Sequence, residues 1–328
     1  MYKKYEGDLY LKKLIDLDGY PVKEYLKTLL SDKTTKKNIL FATDSYLNVG
    51  SGYEPGNQIT ETLLRKIEIQ PRITKAMEEQ SQRTRKKAEV FTPAWLCCKM
   101  NDHCDAEWFG RENVFNVMNG DAWTVTEEPV TFPKGKNWKG YVDSRRLEIT
   151  CGEAPYVVSR YDASTGEMID LKRRIGILDR KMRIVRENAE TREEWLKWGL
   201  RAFQSVYGYE WQGDSLLIAR VNLLMTFMDY YRDAWTFDPQ DTLLQKTLSQ
   251  VANVIAWNFW QMDGLTGTVP YGAPEEKQDE PQQMSFFDMG WMDSDPFEAG
   301  AENNERTECR IFDWRSNESL TYNSLKKG

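Results

Sequence analysis

Apolar and polar positions alternate along this chain in two periods. A short apolar run, Asn38-Ile39-Leu40-Phe41-Ala42, is bounded by Thr43-Asp44-Ser45 and then by Gly50-Ser51-Gly52. That pattern predicts a buried strand followed by a loop. Residues 60–69 read as helical. Pro93 to Met100 starts another helix, with Thr92 as N-cap and Pro93 at the first helical position. Leu147-Glu148-Ile149-Thr150 is a short strand running into Cys151-Gly152. Residues 192–206 form an amphipathic helix carrying Trp195, Trp198 and Phe203. Residues 205–210 give a second strand that ends in an acid, Glu210. Helices follow over 214–231 and 243–255, and then Asn258 to Gln261 leads into Met262-Asp263-Gly264. Near the C-terminus, Cys309 to Trp314 reads as a last strand.

The order is strand, glycine turn, helices, then a strand ending in an acid. In an open α/β sheet a glycine lets backbone approach a ligand, and an acid further along accepts from ribose hydroxyls. The expected architecture is therefore α/β. Four segments are expected: an N-terminal extension (1–80), a cofactor-binding core (81–270), an acidic flexible segment (271–308) and a C-terminal strand and tail (309–328).

Composition narrows the function. The 328 residues contain one histidine, His103, which excludes sites needing two. No run approaches the roughly 18 apolar residues of a membrane span, and the first residues have no apolar signal core. The five cysteines, an odd number, read as reduced thiols of a cytoplasmic protein. The formal net charge of -7 hides an asymmetry, because residues 271–308 hold 11 acids and 2 bases, leaving +2 elsewhere. Two basic runs are candidates for phosphate contacts. One contains Arg83, Arg85, Lys86 and Lys87; the other contains Lys172, Arg173, Arg174, Arg180, Lys181, Arg183 and Arg186. The competing interpretation of each run is a solvated helix face.

The blocks Glu89-Val90-Phe91-Thr92-Pro93, Glu148-Ile149-Thr150-Cys151-Gly152-Glu153-Ala154-Pro155-Tyr156, Tyr207-Gly208-Tyr209-Glu210 and Gln261-Met262-Asp263-Gly264, in this order, resemble S-adenosylmethionine-dependent DNA methyltransferases. The likeness is to the adenine-N6 type and to modification subunits of restriction-modification systems, and it spans about residues 83–267. It implies a Rossmann-like methyltransferase sheet and S-adenosylmethionine as cofactor. The cofactor would be held by Phe91, Thr92, Pro93, Glu148, Cys151, Gly152, Glu210, Trp211 and Asp263. Glu210 would hold the ribose, Asp263 would read the adenine, and Trp211 would stack on it. Ala154 replaces the second glycine of the family's D-P-A-C-G-S-G-x-F block. The family's [D/N/S]-P-P-[Y/F/W] loop, which handles the flipped base, has no match. Asp313, after the C-terminal strand, is the candidate for its polar residue. Two functions follow: methyl transfer to a base amino nitrogen, or a catalytically degenerate DNA-associated subunit tethered to the sliding clamp, with a catalytic or nuclease subunit as a further partner.

Three further motifs are weighed alongside. Gln283, Met284, Phe286 and Phe287, with Ser285, resemble the bacterial sliding-clamp-binding peptide. Cys97-Cys98 with His103 and Cys104 have zinc-type ligands, but adjacent cysteines on a helix face different ways; no metal is assigned. Asp170-Leu171-Lys172, with Asp162 and Glu153, is a weak D-x-K pattern for metal-dependent cleavage.

Overall fold

The computed structural model describes residues 15–69, 71–73, 91–271 and 307–327. Both clusters Arg83–Lys87 and Gln283–Phe287 lie outside the described residues. The first elements are α1 (Val22–Leu30) and the single turn α2 (Glu61–Leu64), whose N-cap Thr60 accepts from the Leu63 amide. The helical reading of 60–69 therefore holds for one turn only. Helix α3 (Ala94–Phe109) precedes a hairpin, β1 (Asn116–Asn119) and β2 (Ala122–Val125). After the short α4 (Trp138–Val142) come β3 (Arg146–Ile149), α5 (Ile177–Asn188) and α6 (Arg192–Gln204). Then follow β4 (Val206–Glu210), α7 (Gly213–Ala234), α8 (Thr242–Asn258) and β5 (Phe259–Gln261). A second hairpin, β6 (Arg310–Asp313) and β7 (Glu318–Thr321), is followed by a 3-10 segment, Tyr322–Lys327, that ends the described chain.

Strands β3, β4 and β5 form a three-stranded parallel sheet with β4 in the middle. The register pairs Glu148 with Gly208 and Glu210 with Gln261. Helices fill both crossovers, so the fold is mixed α/β with a parallel sheet. Because side chains alternate across a strand, Glu148, Gly208, Phe259 and Glu210 share the face that meets the helices. There α7 is the centre of the core: Leu216, Leu217, Leu223, Leu224 and Phe227 are all fully buried. Gly208 is required at the middle of the sheet, since a Cβ there would stand 2.8 Å from Phe259 and 3.0 Å from the Cys151 side chain.

The opposite face of the sheet carries Tyr209 and Trp260, which pack with Met262, Cys309 and Ile311 beneath the β6–β7 hairpin. That hairpin covers β4 and β5. On β3 the same face stays open, with Leu147 46% and Ile149 60% exposed.

The segment 38–42 is buried at Ile39 and Phe41, but its ladder is incomplete. Isolated bridges join Asn38 to Ser31 and Leu40 to Gln58. Leu40 also donates to Gln261 Oε1 at 2.7 Å and accepts from Gln261 Nε2 at 2.9 Å. A side-chain amide takes the place of a neighbouring peptide, so the segment stays extended without becoming a strand of the sheet. None of the described helices is long and apolar enough to cross a membrane.

Candidate cofactor site

Strand β3 ends where its chain turns sharply. The Cys151 amide still pairs with Tyr209 O at 2.8 Å, then Gly152 adopts φ +54° and Ala154 φ +64°. Gly152 is at home in this left-handed region and Ala154 is not, so the turn is held by its bonds. The Ala154 amide reaches back to Cys151 O, and the Val157 and Val158 amides reach Ala154 O. The buried carboxylate of Glu148 accepts from the Tyr156 and Val157 amides. Thus Glu148 fastens the loop that follows its own strand.

Glu210, the last residue of β4, closes the same corner from the neighbouring strand. Its Oε2 accepts from the Gly152 amide at 2.8 Å and its Oε1 from the Gln212 amide at 3.1 Å. Between these ends lies a cleft of about 530 Å³, lined by Phe91, Thr92, Glu148, Cys151, Gly152 and Glu210 among others. It opens at the carboxyl ends of parallel strands, where open α/β sheets take ligands, and its size suits a small-molecule cofactor.

The electrostatics of the cleft are unusual. Burial pushes the Glu148 carboxyl well above its ordinary range; the Tyr156 and Val157 amides oppose this and the Glu210 charge adds to it. Its Oε2 is buried and, among the described residues, has no hydrogen-bond partner. Burial also drives the Cys151 thiol well up, so this sulfur is a packing atom and not a thiolate.

Several sequence expectations do not converge on this cleft. Pro93 is the N-cap position of α3 and does not line it; the first helical amide, Ala94, donates to Asp162 Oδ2 at 2.9 Å instead. The Thr92 hydroxyl bonds Tyr156 instead of capping the helix. Trp211 packs against Tyr271 at 5.4 Å and its carbonyl accepts from Gln261. Asp263 is a turn residue, accepting from the Leu265 amide at 2.9 Å and bridging Thr268. Asp313 is a correction. It bonds Arg145 at 2.7 Å, beside the first residue of β3, so it stands at the amino end of the strand whose carboxyl end forms the cleft.

The second basic run is corrected as well. Arg180 is 2% exposed and bonds Asp105 at 2.6 Å and Asp102 at 2.8 Å. Lys181 is fully buried against Ser205 Oγ at 2.6 Å, and burial lowers its pKa well below the usual ammonium range. Arg174 pairs with Asp229 at 2.8 Å, and Arg183 with Glu187 at 2.6 Å. Of the residues of this run, Lys172, Arg173 and Arg186 are exposed, with Arg186 standing 3.8 Å from Asp233. The partners explain the error: Arg180 turns inward to Asp102 and Asp105 of α3, Lys181 to Ser144 O and Ser205 Oγ, and Arg183 to Glu187 one turn along α5.

The other motifs are pulled apart. Cys97 and Cys98 are buried while Cys104 is exposed, and His103 lies 3.6 Å from Glu107 on the surface. Asp162 caps α3, Glu153 accepts from the Arg72 amide and the Tyr161 hydroxyl, and Asp170 is exposed. Among the described residues no group of three His, Cys, Asp or Glu side chains is arranged to hold a metal ion.

Sequence reasoning missed Arg72 and Gln212, which line the cleft. Arg72 belongs to no motif and arrives from a distant segment. Gln212 sits two residues beyond the acid, where its amide is positioned by the start of α7. Comparison with family models, with curated proteins and with solved structures found no match to the chain.

Proposed function

We propose that the chain is a DNA-methyltransferase-like protein with a Rossmann-like core that binds S-adenosylmethionine in the cleft between β3 and β4. The observation that carries this reading is the Glu210 carboxylate. It ends the central parallel strand, grips the Gly152 amide and faces the cleft. A carboxylate has about four acceptor positions, so hydroxyls of a ribose have room to donate to it. Gly152 offers backbone without a side chain in the way. Phe91 and Thr92 supply the far wall, as the resemblance implies. Glu148, whose Oε2 has no partner among the described residues, adds a buried polar group to the lining.

When bound, the cofactor would supply the electrophilic methyl group, and the acceptor under this reading is a base amino nitrogen, adenine N6 by resemblance. The protein would contribute orientation and exclusion of water. Trp211 and Asp263 take no part among the cleft residues, so adenine recognition would fall to Phe91 and its neighbours.

A second reading is favoured by the position of Asp313. With that carboxylate at the amino end of β3, no polar residue assigned to the target base is near the cleft. The chain would then hold cofactor or DNA while a catalytic partner handles the base, with the sliding clamp and a nuclease subunit as further partners.

Calorimetric titration of S-adenosylmethionine and S-adenosylhomocysteine, with and without duplex DNA, tests the first reading. Micromolar binding that Glu210→Ala abolishes is expected. Absence of binding in both conditions overturns it, and full affinity in Glu210→Ala moves the site elsewhere.

A further inference from the structure

We propose that Arg72 is a built-in competitor for the ligand-binding edge of Glu210, so that an adenosine-type cofactor enters only by displacing the chain's own guanidinium. This rests on the cofactor reading above.

Arg72 lines the cleft. The Arg72 amide is held by Glu153, and its side chain reaches over the first turn of α7. Nε donates to Ser215 Oγ at 2.9 Å and Nη2 to Gln212 Oε1 at 3.3 Å. The same Nη2 stands 3.6 Å from Glu210 Oε1. On the other wall, a Cβ at Gly152 would come within 3.9 Å of Nη1. One guanidinium therefore spans the gap between the Gly152 turn and the start of α7.

That is a poor place for a cation. The amino end of a 22-residue helix favours negative charge. Glu210 offsets this penalty, which makes Arg72 dependent on the very carboxylate that the ribose would use. The side chain is 23% exposed, so it has solvent to move into. Guanidinium and sugar hydroxyls are both donors, and Glu210 Oε1 already accepts from the Gln212 amide. At 3.6 Å from Oε1 the guanidinium is an ion-pair neighbour and not a hydrogen-bond donor, so it competes by occupying the space in front of the carboxylate that a ribose would need. Apparent affinity falls by the fraction of molecules in which the site is open.

The test is titration of S-adenosylhomocysteine into wild type, Arg72→Gln, Arg72→Lys, Glu210→Gln and the Arg72→Gln/Glu210→Gln double variant, with thermal melts to confirm folding. Arg72→Gln is expected to bind about three- to thirtyfold more tightly, a range set by an open fraction between roughly one third and one thirtieth. The gain should vanish in the Glu210→Gln background. Arg72→Lys, which cannot reach Ser215 and Glu210 with one planar fork, should fall between and serves if the glutamine variant does not fold. Equal or weaker binding by a folded Arg72 variant overturns the competitor role while leaving the cofactor site standing. Absence of binding in wild type and in every variant overturns the cofactor reading and the competitor with it.

Discussion

Replacing Arg180 decides whether the run from Lys172 to Arg186 faces nucleic acid or the core. In Arg180→Met the stem is kept and the guanidinium is lost. Asp105, whose side chain is 6% exposed, loses its bond at 2.6 Å and retains the Tyr141 hydroxyl at 2.9 Å. Asp102 is 21% exposed and loses its bond at 2.8 Å, retaining the Asn116 amide at 2.7 Å. Breaking a buried pair by removing one partner costs about 3–5 kcal/mol. The partial exposure of Asp102 and the surviving hydrogen bonds place this variant toward the lower end, about 3 kcal/mol. Part of the contact over the Phe115 ring, now 5.3 Å from the guanidinium carbon, survives in methionine. The assay is urea denaturation, with Lys172→Ala/Arg173→Ala as the surface control expected to change stability by no more than about 0.5 kcal/mol per site. A phosphate-tracking role predicts the reverse: Arg180→Met would leave the urea midpoint unchanged, weaken duplex DNA binding and reduce its salt dependence. A loss below about 1 kcal/mol for Arg180→Met would refute the buried-pair account.

Two further outcomes follow from the cleft and its surroundings. Because the Glu148 pKa is raised in the folded protein, the neutral acid is the favoured buried form. Its contribution is intact below the ordinary carboxylate pKa of about 4.3 and is lost as pH rises toward the raised value. Glu148→Gln keeps an acceptor for the Tyr156 and Val157 amides, so its stability relative to wild type should increase between pH 4.5 and pH 8; identical differences in urea midpoints at the two pH values would contradict this. Asp313→Asn, at the far end of β3, should leave S-adenosylhomocysteine affinity unchanged. Loss of its exposed Arg145 pair should cost no more than about 1 kcal/mol, and a tenfold change in affinity on calorimetry would return Asp313 to the site.

Strands β3, β4 and β6 and helices α3, α6, α7 and α8 were legible because their signals are local, whereas the β1–β2 hairpin, β5, β7 and α5 were not read from the sequence. Apolar alternation marked β3 and β4, a terminal acid marked the end of β4, and the length of the apolar stretch marked α7. That Gly152 and Glu210 lie together was also legible, since parallel strands joined by helices bring their carboxyl ends together; Glu148 and Cys151 were implied by the resemblance. What lies beside those ends depends on residues remote in sequence. Arg72 reaches Ser215 from 143 positions away, and no periodicity announces it. Gln261 replaces a peptide partner for Leu40 across 221 positions, which is why an evident apolar run is not a ladder strand. The basic run shows the sharpest limit. Sequence fixes only the number and spacing of the charges on α5; whether Arg180 meets water or Asp105 depends on where α3 packs, because a buried carboxylate offsets a desolvation cost that would otherwise force the guanidinium outward. Likewise the strand reading of residues 309–314 was sound, but it carried no information about which end of the sheet would receive Asp313. Local pattern marked the longer elements and the ends of two parallel strands, and tertiary packing decided which charges remain available for chemistry.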